Sequence, residues 1–216
     1  MSDGTRFTDR LRGECAPAWE RAVDHRFVRE LGADELDDAV FRRYLVQDYA
    51  FVDSLAGLVG AAVAHAPDMA ARARLASFLG VLADEENDYF ERAFDALDVP
   101  DAERTDPERA PPTAAFEDLI GRAAGEGYAE TLAVLVPAEW TYLSWATDVD
   151  GDPDRFYLRE WVDLHDGPEF AATVEWLRGQ LDAVGPELSP RRRDRVERHF
   201  RRTVELEAAF FDAAYE

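Results

Sequence analysis

Apolar residues recur every three to four positions along almost the whole chain, and this spacing determines the fold class. We find no convincing run of strictly alternating apolar and polar residues, the pattern typical of half-buried strands. The spacing therefore predicts an all-α protein. About eight helices are expected, over residues 5–31, 35–65, 67–97, 112–125, 127–147, 153–165, 167–184 and 189–215.

The organisation of the chain predicts a single domain spanning residues 1–216. A chain of 216 residues is long enough for one sizeable core and short for two independent ones. No flexible linker, internal repeat or low-complexity segment divides it. We therefore expect a compact helical bundle.

The charge of the chain excludes two classes of partner. Lys and Arg together number 24, all of them arginine, against 46 Asp and Glu, and the formal net charge is −22. A surface this negative repels nucleic-acid phosphates and anionic lipids. We expect no nucleic-acid binding and no binding to a membrane surface.

The same composition leads to a hypothesis about the protein's environment. An excess of acids without any lysine is typical of proteins from a salt-rich cytoplasm, where dissolved ions screen the repulsion between surface carboxylates. A GC-rich genome would explain the arginines alone. The salt hypothesis predicts a higher melting temperature in multimolar salt than in dilute buffer, and equal melting temperatures in both would refute it.

Cysteine content and hydropathy indicate the compartment. Cys15 is the single cysteine, so it cannot form an internal disulfide, and it leaves too little sulfur for a zinc site. The first residues contain no apolar signal core. The longest fully apolar run, Leu55 to Ala64, is half the roughly 20 residues that cross a bilayer. These features predict a soluble cytoplasmic protein.

Three acidic residues lie inside the apolar stripes of their predicted helices. Asp48 falls among the apolar residues of the second helix, Glu139 lies in the middle of LVPAEWTYLSWA, and Glu207 lies between Phe200 and Phe210. A buried carboxylate without a partner costs several kcal/mol, about 2 to 7 for a merely polar group and more for a charge. Each acid therefore pairs with an arginine, is protonated, or belongs to a ligand site.

Three inward acids among aromatic residues favour a ligand site over structural ion pairs. A carboxylate can accept hydrogen bonds from the exocyclic amine and the protonated ring nitrogen of an aminopyrimidine, and aromatic rings can stack on the heterocycle. A second acid in a dry cavity has a raised pKa and can transfer protons near neutral pH. The acids Asp84 to Asp88 predict a solvated helix face, from which one acid can reach this pocket.

Five segments in chain order resemble the motifs of the TenA family, which includes thiaminase II. They are HRFVREL from His25, FRRYLVQDYAF from Phe41, LVPAEWTYL from Leu135, REWVDLHDGPEF from Arg159 and ELEAAFFDAAY from Glu205. The resemblance implies a haem-oxygenase-like helical bundle, assembled as a homo-oligomer, either a tetramer or a dimer. It also implies salvage of the thiamin pyrimidine without a metal or an organic cofactor.

The resemblance assigns roles to individual positions. It implies that Asp48 binds the aminopyrimidine edge, that Phe51 packs on the ring, that Tyr142 contributes a hydroxyl group and that Glu207 is the catalytic acid. Two expected tyrosines are replaced in this chain. Phe116 can stack on a ring but cannot form a hydrogen bond, whereas His165 retains a hydrogen-bond donor.

The most important departure is at the nucleophile. Thiaminase II has a cysteine directly after the proline of the LVPAEWTYL block, and this chain has Ala138 there, followed by Glu139. The chain thus resembles the family branch that has glutamate in place of cysteine, which is associated with hydrolysis of aminopyrimidine breakdown products of thiamin. Our hypothesis is that Glu139 activates water as a general base and that Glu207 supplies or relays the proton.

Two other functions remain open at this stage. A metal-dependent oxygenase can use the same bundle, although we find no Glu-x-x-His pair of the kind that holds two irons. The missing cysteine is also compatible with a non-catalytic aminopyrimidine-binding or regulatory protein.

Overall fold

The computed structural model describes residues 5–216, apart from the side chain of Glu85, and within that range every regular element is a helix. The all-α prediction is therefore confirmed. Helices α1 to α12 span Phe7–Glu14, Ala16–Val23, Arg26–Gly32, Asp38–His65, Met69–Val81, Asn87–Ala96, Asp101–Thr105, Pro111–Glu126, Tyr128–Thr147, Phe156–Asp166, Pro168–Val184 and Pro190–Ala213. A π-helical turn at Leu82–Glu86 joins α5 to α6, and a 3-10 turn at Gly185–Glu187 precedes α12.

The described residues form twelve α-helices, whereas about eight were predicted, because two long predicted helices are interrupted and the short helix α7 lies between two predicted ones. The predicted helix 5–31 is three helices, which break at Cys15 and at Asp24–His25. His25 starts α3 by accepting a hydrogen bond at Nδ1 from the Phe27 amide at 3.1 Å. This local cap competes with continuous helix, and apolar spacing does not register it.

The predicted helix 67–97 contains the π turn at Leu82–Glu86. A π turn accommodates one extra residue and rotates everything after it relative to the preceding helix. The buried face of α5 therefore does not continue in phase into α6. This rotation determines which of the acids between Asp84 and Asp88 points inward.

Helix α9 is the centre of the bundle. It packs against α4, α8, α10, α11 and α12, and 16 of its 20 residues are buried. A helix buried on nearly all sides needs no polar face, which explains its almost wholly apolar sequence. The helix continues through Pro137 and keeps Ala138 and Glu139 in helical register.

Side-chain hydrogen bonds hold helix α4 at its start and again near its middle, at Gln47. The Asp37 carboxylate caps its start by accepting from the Ala39 amide at 2.7 Å. Gln47, one residue before Asp48, accepts at Oε1 from the Ala110 amide and from the Thr113 hydroxyl, both at 2.8 Å, and so ties α4 to the start of α8. These contacts fix the rotation of α4 that turns Asp48 toward α9.

Within residues 5–216, no helix combines the length and the apolar character that a membrane span requires.

Candidate active site

The three predicted inward acids lie on helices that pack together. Asp48 on α4, Glu139 on α9 and Glu207 on α12 are exposed by 2%, 6% and 2%. Helix α9 packs against both α4 and α12. Asp48 Oδ2 and Glu207 Oε1 have no hydrogen-bond partner among the described atoms. Buried carboxylate oxygens without partners are costly, and this cost indicates a site that a ligand completes.

Burial and mutual repulsion set the protonation of these acids. Burial raises the pKa of all three carboxyl groups well above ordinary values. The charges of Asp48 and Glu139 raise the pKa of Glu207 further, and that of Asp48 also raises the pKa of Glu139. Burial and mutual repulsion therefore both favour the protonated form of these carboxyl groups, whose titrations are coupled.

A cavity of about 50 Å³ lies between α4, α5, α9, α10 and α11. Its wall carries polar groups from four elements, namely Asp48, Glu86, Glu139, Tyr142 and His165. Aromatic rings complete it, those of Phe51, Phe78, Trp161 and Phe170. The predicted combination of inward acids and aromatic rings is therefore present, and Glu139 and Ala138 both face the cavity.

The cavity has an apolar wall on the side of a neighbouring surface groove. Small-molecule sites usually exceed about 300 Å³, so this wall must move outward to admit a pyrimidine. Phe78, Val81, Leu164 and Phe170 belong both to the cavity and to a neighbouring groove of about 560 Å³. Val81 is 43% exposed at this boundary. The groove between α5, α10 and α11 therefore adjoins the cavity that the acids line.

A pair of phenols lies beside Asp48. The hydroxyl groups of Tyr44 and Tyr142 are 2.7 Å apart, and both residues are buried. Burial raises the pKa of Asp48, the charge of Glu86 raises it further, and the two phenols partly offset this by stabilising the carboxylate. Tyr44 was not among the predicted site residues, although it is the tyrosine of the FRRYLVQD segment.

His165 contributes a hydrogen-bond acceptor to the cavity instead of the expected donor. Its Nδ1 lies 2.8 Å from the Trp161 carbonyl oxygen, which can only accept, so Nδ1 carries the proton. Burial lowers the pKa of His165 to about 4. The ring is therefore neutral near pH 7, and Nε2 is an acceptor.

Phe51 reaches the cavity wall, whereas Phe116 packs behind it. The Phe51 ring centroid lies 4.9 Å from that of Phe116, which in turn lies 6.2 Å from that of Phe210. Phe116 is 1% exposed and is not part of the wall. Its ring packs edge-on against that of Phe51. The stacking of Phe116 on a substrate ring stays a prediction, and in this structure its ring lies behind that of Phe51.

Glu207 also lies outside the cavity wall. It interacts with the other acids electrostatically, because the charges of Asp48 and Glu139 raise its pKa. Glu86, by contrast, does belong to the wall. The Asp84 to Asp88 segment was predicted to be a solvated helix face from which an unidentified acid can reach the pocket. Helical spacing could not identify it, because the π turn changes the register within the segment.

A further buried acid, Glu130, shows what a structural ion pair looks like in this protein. Its carboxylate accepts two hydrogen bonds from Arg192, at 3.0 and 2.6 Å, and Arg195 lies 3.9 Å away. Despite burial, these contacts lower the pKa of Glu130. Asp48, Glu139 and Glu207 have no such arginine within residues 5–216.

Between residues 5 and 216, no group of three or more His, Cys, Asp and Glu side chains has a geometry that could hold a metal ion.

Known proteins are similar to this chain over nearly its whole length. It is 26% identical to an aminopyrimidine aminohydrolase from Halalkalibacterium halodurans over 213 residues, which covers 97% of this chain and 95% of the relative. It is 25% identical to an aminopyrimidine aminohydrolase from Helicobacter pylori over 205 residues, covering 92% of this chain and 93% of the relative. A TenA homologue from P. horikoshii OT3 has the same fold, with a TM-score of 0.86 at 23% identity and coverage of 98% of this chain and 99% of that one.

The family model for TENA/THI-4/PQQC proteins matches residues 12–216. This match includes all five segments in which the sequence resembles TenA proteins. The chain therefore belongs to the TENA/THI-4/PQQC family.

Proposed function

We propose that this protein is a hydrolase of aminopyrimidine breakdown products of thiamin and acts in thiamin salvage through carboxylate acid–base chemistry. The observation that carries the proposal is the cluster of buried carboxyl groups without arginine partners beside a cavity lined by aromatic rings. The relatives that bear the name aminopyrimidine aminohydrolase support this substrate class.

Asp48 is suited to bind the aminopyrimidine edge. Its Oδ2 is buried and free of other hydrogen bonds in the described structure. A carboxyl group and an aminopyrimidine form two parallel hydrogen bonds with one shared proton, whether that proton lies on the acid or on the ring nitrogen. The raised pKa of Asp48 therefore does not prevent recognition. Phe51 provides an adjacent aromatic face.

Glu139 is suited to activate water. It lies on the cavity wall beside Ala138, where no thiol is available to attack the pyrimidine. With an amide substrate, water adds to the formyl carbon, Glu139 accepts its proton, and the C–N bond breaks as the amine nitrogen is protonated, which releases formate. With a protonated amine substrate, the water oxygen bonds to the methylene carbon as Glu139 accepts a proton from the water, and neutral ammonia leaves with the electron pair of the C–N bond.

Glu207 serves in this scheme as a proton reservoir. It lies behind the wall, and its pKa is raised by burial and by the charges of Asp48 and Glu139. It holds a proton when its neighbours are ionised and can return it after Glu139 has been protonated. Tyr142, which is hydrogen-bonded to Tyr44, lies on the wall between these groups and can orient the water.

An activity panel tests the proposal. Purified protein is incubated with thiamin, aminomethyl-pyrimidine and formylaminomethyl-pyrimidine, and ammonia, formate and hydroxymethyl-pyrimidine are measured. We expect hydrolysis of at least one of the two breakdown products at a higher kcat/KM than cleavage of thiamin, because Ala138 cannot form a covalent intermediate. Tight binding of these pyrimidines without any conversion would instead identify a non-catalytic binder.

A further inference from the structure

Glu86 is a cavity residue to which the mechanism above gives no task. It is the last residue of the π turn, is partly buried, and lines the cavity together with Asp48 and Glu139. Burial alone raises its pKa to about 8, with no charged or hydrogen-bonded partner contributing. Single π turns inside helices occur frequently at functional sites.

The neighbours of Glu86 point elsewhere. Asp84 and Asp88 are exposed. The Asn87 side chain accepts a hydrogen bond from the Tyr49 hydroxyl at 2.8 Å, on the side of the surface groove between α4 and α6. The π turn thus directs Glu86 toward the cavity, whereas Asp84 and Asp88 are exposed and Asn87 faces the groove.

The polar groups on the cavity wall are unbalanced in charge. They comprise three carboxyl groups, the Tyr142 phenol and the neutral His165 ring, and no lysine or arginine lies on this wall. One carboxyl group suffices for the pyrimidine edge and one for water. A third carboxylate beside an unpaired Asp48 oxygen is costly for a neutral substrate but favourable for a cation.

We propose that Glu86 binds the ammonium group of an aminomethyl-pyrimidine and makes the site selective for amine over formamide substrates. This inference rests on the proposed function. The ammonium group is attached to the methylene carbon, beyond the ring edge that Asp48 recognises. A carboxylate beside this group accepts hydrogen bonds from its N–H groups. The same contact keeps the nitrogen protonated until it departs as neutral ammonia. A formamide has one N–H and no charge and gains little from it.

The test compares Glu86→Gln with Asp84→Asn, an exposed acid of the same π turn. Calorimetry measures the dissociation constants of aminomethyl-pyrimidine and of neutral hydroxymethyl-pyrimidine, and circular dichroism verifies the fold. We expect E86Q to weaken amine binding roughly ten- to a hundredfold, the usual range for a lost hydrogen bond to a charged group, with little change for the hydroxymethyl compound. D84N should alter neither constant. Equal weakening of both ligands, or of neither, would overturn the assignment.

Kinetics separate this inference from the proposed function. In E86Q, kcat/KM for the amine should fall by a similar factor while that for the formamide is largely retained. If the wild-type protein hydrolyses these pyrimidines but E86Q keeps the same amine preference, the role of Glu86 is wrong and the proposed function stands. If the wild-type protein hydrolyses neither pyrimidine but E86Q selectively loses amine binding, the proposed function is wrong and the role of Glu86 in binding the ammonium group stands. A wild-type protein that binds neither pyrimidine refutes both.

Discussion

Substitution of Glu139 by Gln should lower kcat for pyrimidine hydrolysis by about 10² to 10⁴, the usual contribution of a general base. The glutamine side chain has nearly the same shape, so the cavity between α4 and α9 keeps its volume, but it cannot accept a proton from water. Because Asp48 and Phe51 still bind the ring, KM should change much less than kcat. Steady-state assays of ammonia or formate release measure both constants.

The matched control is Glu130→Gln. Glu130 is a buried acid on the same helix, but it pairs with Arg192 at the helix start and faces no substrate cavity. E130Q should lower the unfolding free energy and leave the turnover of the folded protein unchanged. If E139Q instead retains full turnover, Glu139 merely orients its neighbours, such as Tyr142, and the general-base hypothesis is wrong.

The unfolding free energy should fall as the pH rises from about 5 to about 8, by at least about 3 kcal/mol. Burial raises the pKa of Asp48, Glu139 and Glu207 well above ordinary values, and that of Glu86 to about 8. Between the ordinary and the raised pKa, the folded protein keeps protons that the unfolded chain has lost. The stabilisation is complete below the ordinary pKa of a carboxyl group and is lost as the pH passes through the raised value, at up to about 1.4 kcal/mol per pH unit and group.

Acids that pair with arginine limit the gain in unfolding free energy as the pH is lowered. Contacts with arginine lower the pKa of Asp34 and Glu130, so their contribution is present above an ordinary carboxyl pKa and disappears in more acidic solution. Stability should therefore be greatest near pH 5. Urea unfolding over this pH range, in about 1 M salt to screen the surface charge, measures the effect.

Variants identify the groups responsible for the pH dependence. Asp48→Asn and Glu139→Gln each remove one buried titrating group and should flatten the decline between pH 5 and pH 8. Asp84→Asn, at an exposed position, should leave the slope unchanged. A stability that rises with pH over this range would contradict the proposed protonation of the cluster.

Much of the site could be predicted from spacing alone. Asp48, Glu139 and Glu207 each interrupt an apolar stripe, and all three are buried in one region of the bundle. Phe51 and Tyr142 lie on the cavity wall, as the family motifs implied. Their roles in catalysis and binding stay predictions until the variants above are assayed.

Other features depend on local geometry that spacing does not encode. The identity of the inward acid in the DEEND segment depends on the π turn, which ends at Glu86. The hydrogen-bonding state of His165 depends on the carbonyl oxygen one turn earlier, at Trp161. The position of Phe116 behind Phe51 depends on the side of α4 that α8 covers. Each of these required the three-dimensional contacts.

The amino-acid sequence by itself determined that the chain is helical and that acids occupy buried helix faces, because a helical period identifies the face that packs inward. Only the tertiary structure decided which of those acids lack a cation. Glu130 and Glu139 lie on the same buried helix, yet Arg192 of α12 reaches the first and no arginine of residues 5–216 reaches the second. The difference arises because the partner of a buried charge comes from a neighbouring helix, whose register is set by the packing of the whole bundle.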